Sequence, residues 1–348
     1  MVFDLLEIGR TNILVVSIVD TVLYSDSSLY TTPPPTLPPM SDTTEFNVNP
    51  KLQRTLSRFQ EKISTGDFYE AHQTLRTIVN RNVRSKDFKN AVSLLYHSSK
   101  ILLKSSQPAT GADLLSYLIE VYNDSETVVS NESKSKLIEL LSLFEPTEPT
   151  LKNVAIEAIN WSIKFGEHKL GDPDLHHIIG FKFAQNSELA YEAEKHLLLG
   201  NTESYPLYLE LIWSWYLEDP EVNNVQLYIR RIVLNYLCVQ NFKNARDSLS
   251  TLISRFIERT PSATHTELTQ NNQQLYIFDN QPVLNFLQLL LLTIEAKDTQ
   301  NFQRLVGRYV KDLNEVENVL QMVGELYFGI VAPKQTNVLQ SLMSGLFK

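Results

Sequence analysis

The sequence predicts an all-α protein, a right-handed α-solenoid of stacked helical pairs with one small β-hairpin near residues 265–280. Three observations predict it. The first is a short pattern that recurs: Asp67-Phe68 with Ala71 and Leu75, then Asp87-Phe88 with Ala91 and Leu95, and far downstream Asn241-Phe242 with Ala245 and Leu249. An aromatic, a small residue three positions on and a leucine four beyond that share one helical stripe, and the small residue lets a neighbouring helix approach closely. Stacked pairs of the tetratricopeptide kind read this way, and the irregular spacing of the three copies makes the array a degenerate one. The second is composition: 11 glycines in 348 residues, with apolar positions repeating at helical spacing. The third is that Leu275-Tyr276-Ile277-Phe278, bounded by Asp279-Asn280, is the one credible strand signal.

The elements follow in order. Residues 1–39 carry the apolar run Ile13–Val19, too short to span a bilayer, which needs about 20 residues, and then Pro33-Pro34-Pro35 and Pro38-Pro39. Residues 1–49 are read as an extension that is either disordered or an upstream stretch not present in the working protein, with Met40 the expected functional start. From Pro50, Leu52, Leu56, Phe59 and Ile63 form the stripe of a first helix. Its partner starts after Gly66 and carries Phe68, Ala71, Leu75 and Ile78 inward. A third helix runs from Asp87 to about Lys104, and Ser105–Gly111 is a loop. In the fourth, Leu115, Leu118, Ile119 and Tyr122 face inward while Asp113, Tyr117 and Glu120 share an exposed stripe. Further helices end near Phe144, carry Leu151 to Phe165, open at Gly171-Asp172-Pro173, stop at Gly200, and run Glu203–Leu217, with two more between Val222 and Thr260. Residues 261–274 are polar, and the strand at 275–278 needs a partner from this loop. The resulting exposed apolar hairpin is a candidate docking surface. Three helices follow, and residues 331–348 form a tail.

Function classes narrow by exclusion. A net charge of −9 argues against nonspecific nucleic-acid binding. A single cysteine, Cys238 in an apolar run, excludes an intrachain disulfide framework and is expected to be a buried, inert thiol. No phosphate-binding Gly-Lys loop, dinucleotide glycine fingerprint or His-Glu-x-x-His occurs, so no cofactor and no metal are expected. His168, His176 and His177 lack the spacing of a ligand set. An enzyme with a spatially assembled site and a generic solenoid scaffold subunit of another complex are the competing classes. Arg84 together with Asp113 and Glu120 makes a mixed-charge surface suited to a transient, salt-sensitive protein contact.

Longer blocks carry a resemblance. Glu70–Ile78, Val83–Lys86, Asn160–Phe165, Gly171-Asp172-Pro173, Asn285–Leu290 and Ala332–Asn337 resemble, in order, the family of the fourth subunit of the guided-entry-of-tail-anchored-proteins (Golgi-to-ER traffic) pathway. Its mammalian counterpart belongs to the cytosolic transmembrane-domain recognition complex. The resemblance spans about residue 50 onward and implies a non-enzymatic cytosolic adaptor without direct membrane insertion. It implies that the half at 50–185 binds the nucleotide-bound targeting ATPase dimer and restrains its turnover, through Phe68, Tyr69, Arg84, Asp113 and Glu120. It implies that the half at 186–330 holds a ubiquitin-like subunit through Leu275, Tyr276, Ile277, Phe278, Phe286, Leu287 and Leu290. That subunit recruits a glutamine-rich tetratricopeptide co-chaperone carrying the client. Phe68 stands where the family has Tyr, which removes any hydroxyl-dependent contact there.

Overall fold

The computed structural model describes residues 50–330 except 271, 272, 310, 312, 314 and 315. The expectations for 1–49, for Met40 as the start and for 331–348 lie outside the described residues.

The first four helices are α1 (Pro50–Ser64), α2 (Phe68–Arg84), α3 (Phe88–Lys104) and α4 (Pro108–Asp124). Their spacing is more regular than the sequence pattern suggests. The turns closing them place Gly66, Lys86, Ser106 and Glu126, every twentieth residue, in the left-handed region at φ 85°, 60°, 57° and 50°. Each turn is sealed by the same backbone bond, the residue after the left-handed one donating to the carbonyl five back. Asp67 donates to Lys62, Asp87 to Asn82, Gln107 to Leu102 and Thr127 to Tyr122, at 2.9, 2.8, 3.0 and 2.9 Å. This is the Schellman ending, which satisfies carbonyls a helix would otherwise leave orphaned. The aromatic, small, leucine pattern therefore has a third local copy at Pro108, Gly111 and Leu115. Proline takes the aromatic's place at the start of α4, where its missing N–H costs nothing. Gly111 takes the alanine's place because α3 approaches so closely that a Cβ would lie 2.7 Å from Leu103 Cδ2. The loop expected over 105–111 shortens accordingly to 105–107.

The stack continues with α5 (Asn131–Ser142), α6 (Leu151–Phe165), α7 (Pro173–Ala184) and α8 (Ala190–Leu199). Trp161 of α6 packs on Tyr122 at 5.0 Å between ring centroids and donates from Nε1 to the Thr127 carbonyl at 3.0 Å. Asp172 caps α7 by accepting from the amides of Asp174 and Leu175. Two inward assignments shift: Val79 is fully buried where Ile78 was expected, and Phe68 is half-buried.

The chain divides into two compact units inside α9 (Ser204–Glu218), between Leu211 and Ile212 and not near residue 185. The second holds α10 (Val225–Cys238), α11 (Phe242–Arg259), β1 (His265–Gln270), β2 (Gln273–Phe278), α12 (Pro282–Ala296), α13 (Thr299–Tyr309) and α14 (Glu317–Phe328). The same turn recurs here, with left-handed Gln240 and Lys297 before Asn241 and Asp298. The strands pair antiparallel, His265 opposite Phe278 and Leu268 opposite Leu275. The described residues are thus an all-α solenoid with a single hairpin, and no helix among them is long and apolar enough to cross a membrane.

Candidate partner-docking sites

The first site is a seam between α2 and α4. His72, Arg76, Asn80 and Arg84 are spaced four apart on α2, so they run along one side of it. The α4 residues Asp113, Tyr117 and Glu120 face that row. One Asp113 carboxylate oxygen accepts from His72 Nε2 at 2.7 Å and from Arg76 Nη1 at 2.5 Å. Burial would raise the Asp113 carboxyl above its ordinary range, but the bonds from Arg76 and His72 outweigh it and hold the carboxyl low. Within the chain Asp113 is therefore engaged by Arg76 and His72.

Tyr117, expected on the exposed stripe, is buried. Arg76 lies over its ring at 5.2 Å and its hydroxyl donates to Asn80 Oδ1 at 2.5 Å. The row from α2 covers a ring that α4 alone would leave in water. Burial raises the Tyr117 phenol, and the Glu120 charge raises it further. Glu120 and Arg84 are both exposed, and neither makes an ion pair among the described residues. Tyr69, 79% exposed, opens α2 beside half-buried Phe68. A projecting aromatic and unengaged charges of both signs suit a polar rim contact.

The second site is the hairpin with α12, and here burial redraws the expected surface. Phe286, Leu287 and Leu290 are 0% exposed, and Leu275 and Phe278 are buried as well. These five are floor, not face, because α12 is apolar nearly all round and the hairpin lies on it. Tyr276 and Ile277 are half-buried, and Leu268 of β1 adds an apolar side chain that is 49% exposed. The hairpin is fixed by two residues that the sequence reading passed over. Asn285 accepts from the Phe278 amide at 2.9 Å and donates to its carbonyl at 2.8 Å. Gln288 does the same for Tyr276 at 2.8 and 2.7 Å. Two amides one helical turn apart thus stand in for a third strand along β2. The signal available in the sequence was a pair of polar residues, i and i+3, in an otherwise apolar helix, since buried amides need partners.

The histidines do assemble, but not into a reactive centre. His177 Nδ1 lies 2.9 Å from Ser204 Oγ and its Nε2 3.5 Å from Glu203. This imitates a catalytic row, yet Ser204 is 0% exposed, so no substrate reaches its hydroxyl. His176 donates from Nε2 to the Leu170 carbonyl, which leaves its Nδ1 to accept from His196 Nδ1 at 2.9 Å. No group of metal-binding side chains exists among the described residues. Cys238 is half-buried, and burial pushes its thiol up to about 11, so it is no nucleophile at neutral pH.

The His176–His196 pair predicts an acid sensitivity. Desolvation lowers both groups, His196 to about 3. The unfolded chain, with ordinary imidazoles, therefore binds protons that the folded one refuses. Stability is fully present above about pH 6.5 and falls from there toward about pH 3. His196→Phe is expected to flatten the urea midpoint between pH 7.5 and 5; an unchanged pH slope would show that the pair carries none of it.

Comparison with known proteins settles the family. The model of the family described as Golgi to ER traffic protein 4 matches residues 85–347. The chain belongs to that family. Golgi to ER traffic protein 4 of Aspergillus fumigatus is 34% identical over 312 residues, covering 85% of this chain and 90% of its own. The Schizosaccharomyces pombe protein of the same name is 34% identical over 298 residues, covering 85% and 95%. The human homolog is 25% identical over 298 residues, covering 85% of each chain. The crystal structure of C. therm. Get4 superposes with a TM-score of 0.75 at 34% identity, covering 86% of this chain and 96% of that one. The resemblance read from the sequence blocks is thus correct, and the family ties the chain to Golgi-to-ER traffic. The family match includes Asp113, Glu120, the hairpin and α12; Phe68, Tyr69 and Arg84 precede it.

Proposed function

We infer that the chain is a non-enzymatic cytosolic adaptor in the post-translational insertion of tail-anchored membrane proteins into the ER. It bridges the pathway's targeting ATPase dimer, in its nucleotide-bound form, and a ubiquitin-like subunit. That subunit in turn brings the glutamine-rich tetratricopeptide co-chaperone with the client. Family membership carries this reading. The two surfaces support it because they differ in kind and lie in different units.

The α2–α4 seam presents Tyr69, Arg84 and Glu120. Such rim charges contribute about 1 kcal/mol or less each, which suits a partner that must be released after each round. At the hairpin, Tyr276, Ile277 and Leu268 lie over a rigid apolar floor, which suits a drier and longer-lived interface. Asp113 acts as a positioning residue here: by holding His72 and Arg76 it fixes the α2 row that presents Arg84. The chain is expected to slow ATP turnover by the nucleotide-bound ATPase, more strongly at low salt. Unchanged turnover at saturating chain, at every ionic strength, would overturn the regulatory part of the reading.

A further inference from the structure

A helix flanked by its neighbours in a stack is expected to keep polar residues on the side left in water. On α6 that side is not polar. The helix runs beside α4, where Trp161 packs on Tyr122, and beside α8, where Lys152 donates to Glu192 at 2.5 Å. On its open side Ile156 and Ile163 are 50% and 42% exposed, with exposed Asn160 between them. Seven residues is close to two turns, so the two isoleucines stand on one line, about 10 Å apart along the helix. A single exposed isoleucine is ordinary, but two in register form a row that can seat a second helix.

The charge left over around this row is negative. Lys152 is taken by Glu192, and Lys164 lies over the Phe165 ring, 4.7 Å from its centroid. Glu157 stands one turn before Trp161, on the side of α6 turned to α4. Its Oε2 is shut off from solvent and meets no donor, and no cation among the described residues pairs with the carboxylate. On α4, exposed Glu120 and Asp124 make no ion pair among the described residues either. An uncompensated carboxylate at the edge of an apolar row is a cost within the chain, and a cation brought by a partner relieves it.

We propose that α6 docks a basic amphipathic helix of a partner protein, which lays aliphatic residues at i and i+7 against Ile156 and Ile163 and brings a lysine or arginine to Glu157. The carboxylates repel an acidic helix with the same apolar pattern, so charge decides which helices are accepted. The surface stands on α6 and its neighbours and depends on neither the ATPase nor the ubiquitin-like subunit.

Fluorescence anisotropy on the full chain tests it with two labelled synthetic helices. Both carry leucines at i, i+4 and i+7; the remaining positions are lysine-rich in one and glutamate-rich in the other. The lysine peptide is expected to bind the parent at least about ten-fold more tightly than the glutamate peptide. Ile156→Ser/Ile163→Ser is expected to weaken the lysine peptide by about ten-fold with an unchanged urea midpoint, because both side chains are already exposed. Glu157→Gln should weaken it about three-fold at low salt and less at high salt. Val222→Ser, a comparably exposed apolar residue of the second unit, should leave binding as it is. Failure of the lysine peptide to bind, equal binding of the two peptides, or binding that the isoleucine pair does not change would overturn the proposal. A parent that self-associates, and is made monomeric by Ile156→Ser/Ile163→Ser, would overturn it in favour of a second copy on this row.

Discussion

Replacing Asn285 and Gln288 together by alanine is expected to release the hairpin from α12. The two side chains make four hydrogen bonds to the backbone of Tyr276 and Phe278. Removing them leaves two amides and two carbonyls without their partners against an apolar helix. A buried group left unmet costs about 1–3 kcal/mol, so the double variant should lose on the order of 4 kcal/mol or more from the second unit. Leu275 and Phe278, now core, then lose their seat against α12. The expected outcome is a lower urea midpoint, proteolytic cutting between residues 261 and 281, and loss of ubiquitin-like-subunit binding. Asn285→Asp with Gln288→Glu separates the causes, because each keeps an acceptor but removes the donor. An unchanged midpoint for the alanine pair would show that the amides do not hold the hairpin.

Glu120→Lys is expected to abolish most of the salt-sensitive restraint of ATP turnover without altering the fold. Glu120 is exposed and makes no ion pair among the described residues, so reversing its charge disturbs only what docks there. Asp113 is different. Asp113→Lys would set an ammonium against Arg76 and His72; with the Asp113 side chain 43% exposed, solvent screening limits the cost to about 1 kcal/mol. Its effect on turnover would include displacement of the α2 row. Asp113→Asn keeps shape and one acceptor, and is expected to weaken the restraint only in part. Charge reversal at the rim acts on association rate and salt dependence. A Glu120→Lys chain that still slows the ATPase fully at low salt would remove Glu120 from the interface.

These two sites show what the sequence discloses. The helices were legible because Leu52, Leu56, Phe59 and Ile63, and the copies at Phe68 and Phe88, repeat at helical spacing. The third copy was missed because Pro108 and Gly111 replace the aromatic and the alanine. Only the approach of Leu103 explains the glycine. β2 was legible from four consecutive apolar or aromatic residues, whereas β1, His-Thr-Glu-Leu-Thr-Gln, has no such run and owes its state to pairing.

Exposure was the least legible property. A helical wheel puts Tyr117 outside, but whether a neighbouring helix covers that side depends on packing between α2 and α4. The same limit applies to Phe286, Leu287 and Leu290: an apolar stretch is equally suited to a core and to an interface. The engagement of Asp113 by His72 and Arg76 was not legible, because it depends on how the two helices align, with residue 113 meeting 72 and 76.

The bridging role is tested most directly by recovering partners on the full chain from cytosol at low and moderate salt, with and without ATP, and identifying them by mass spectrometry. The account predicts a ubiquitin-like protein at both salts, the targeting ATPase enriched at low salt with ATP, and both on the same complex by size. Two partners that exclude each other, or recovery of neither, would contradict it.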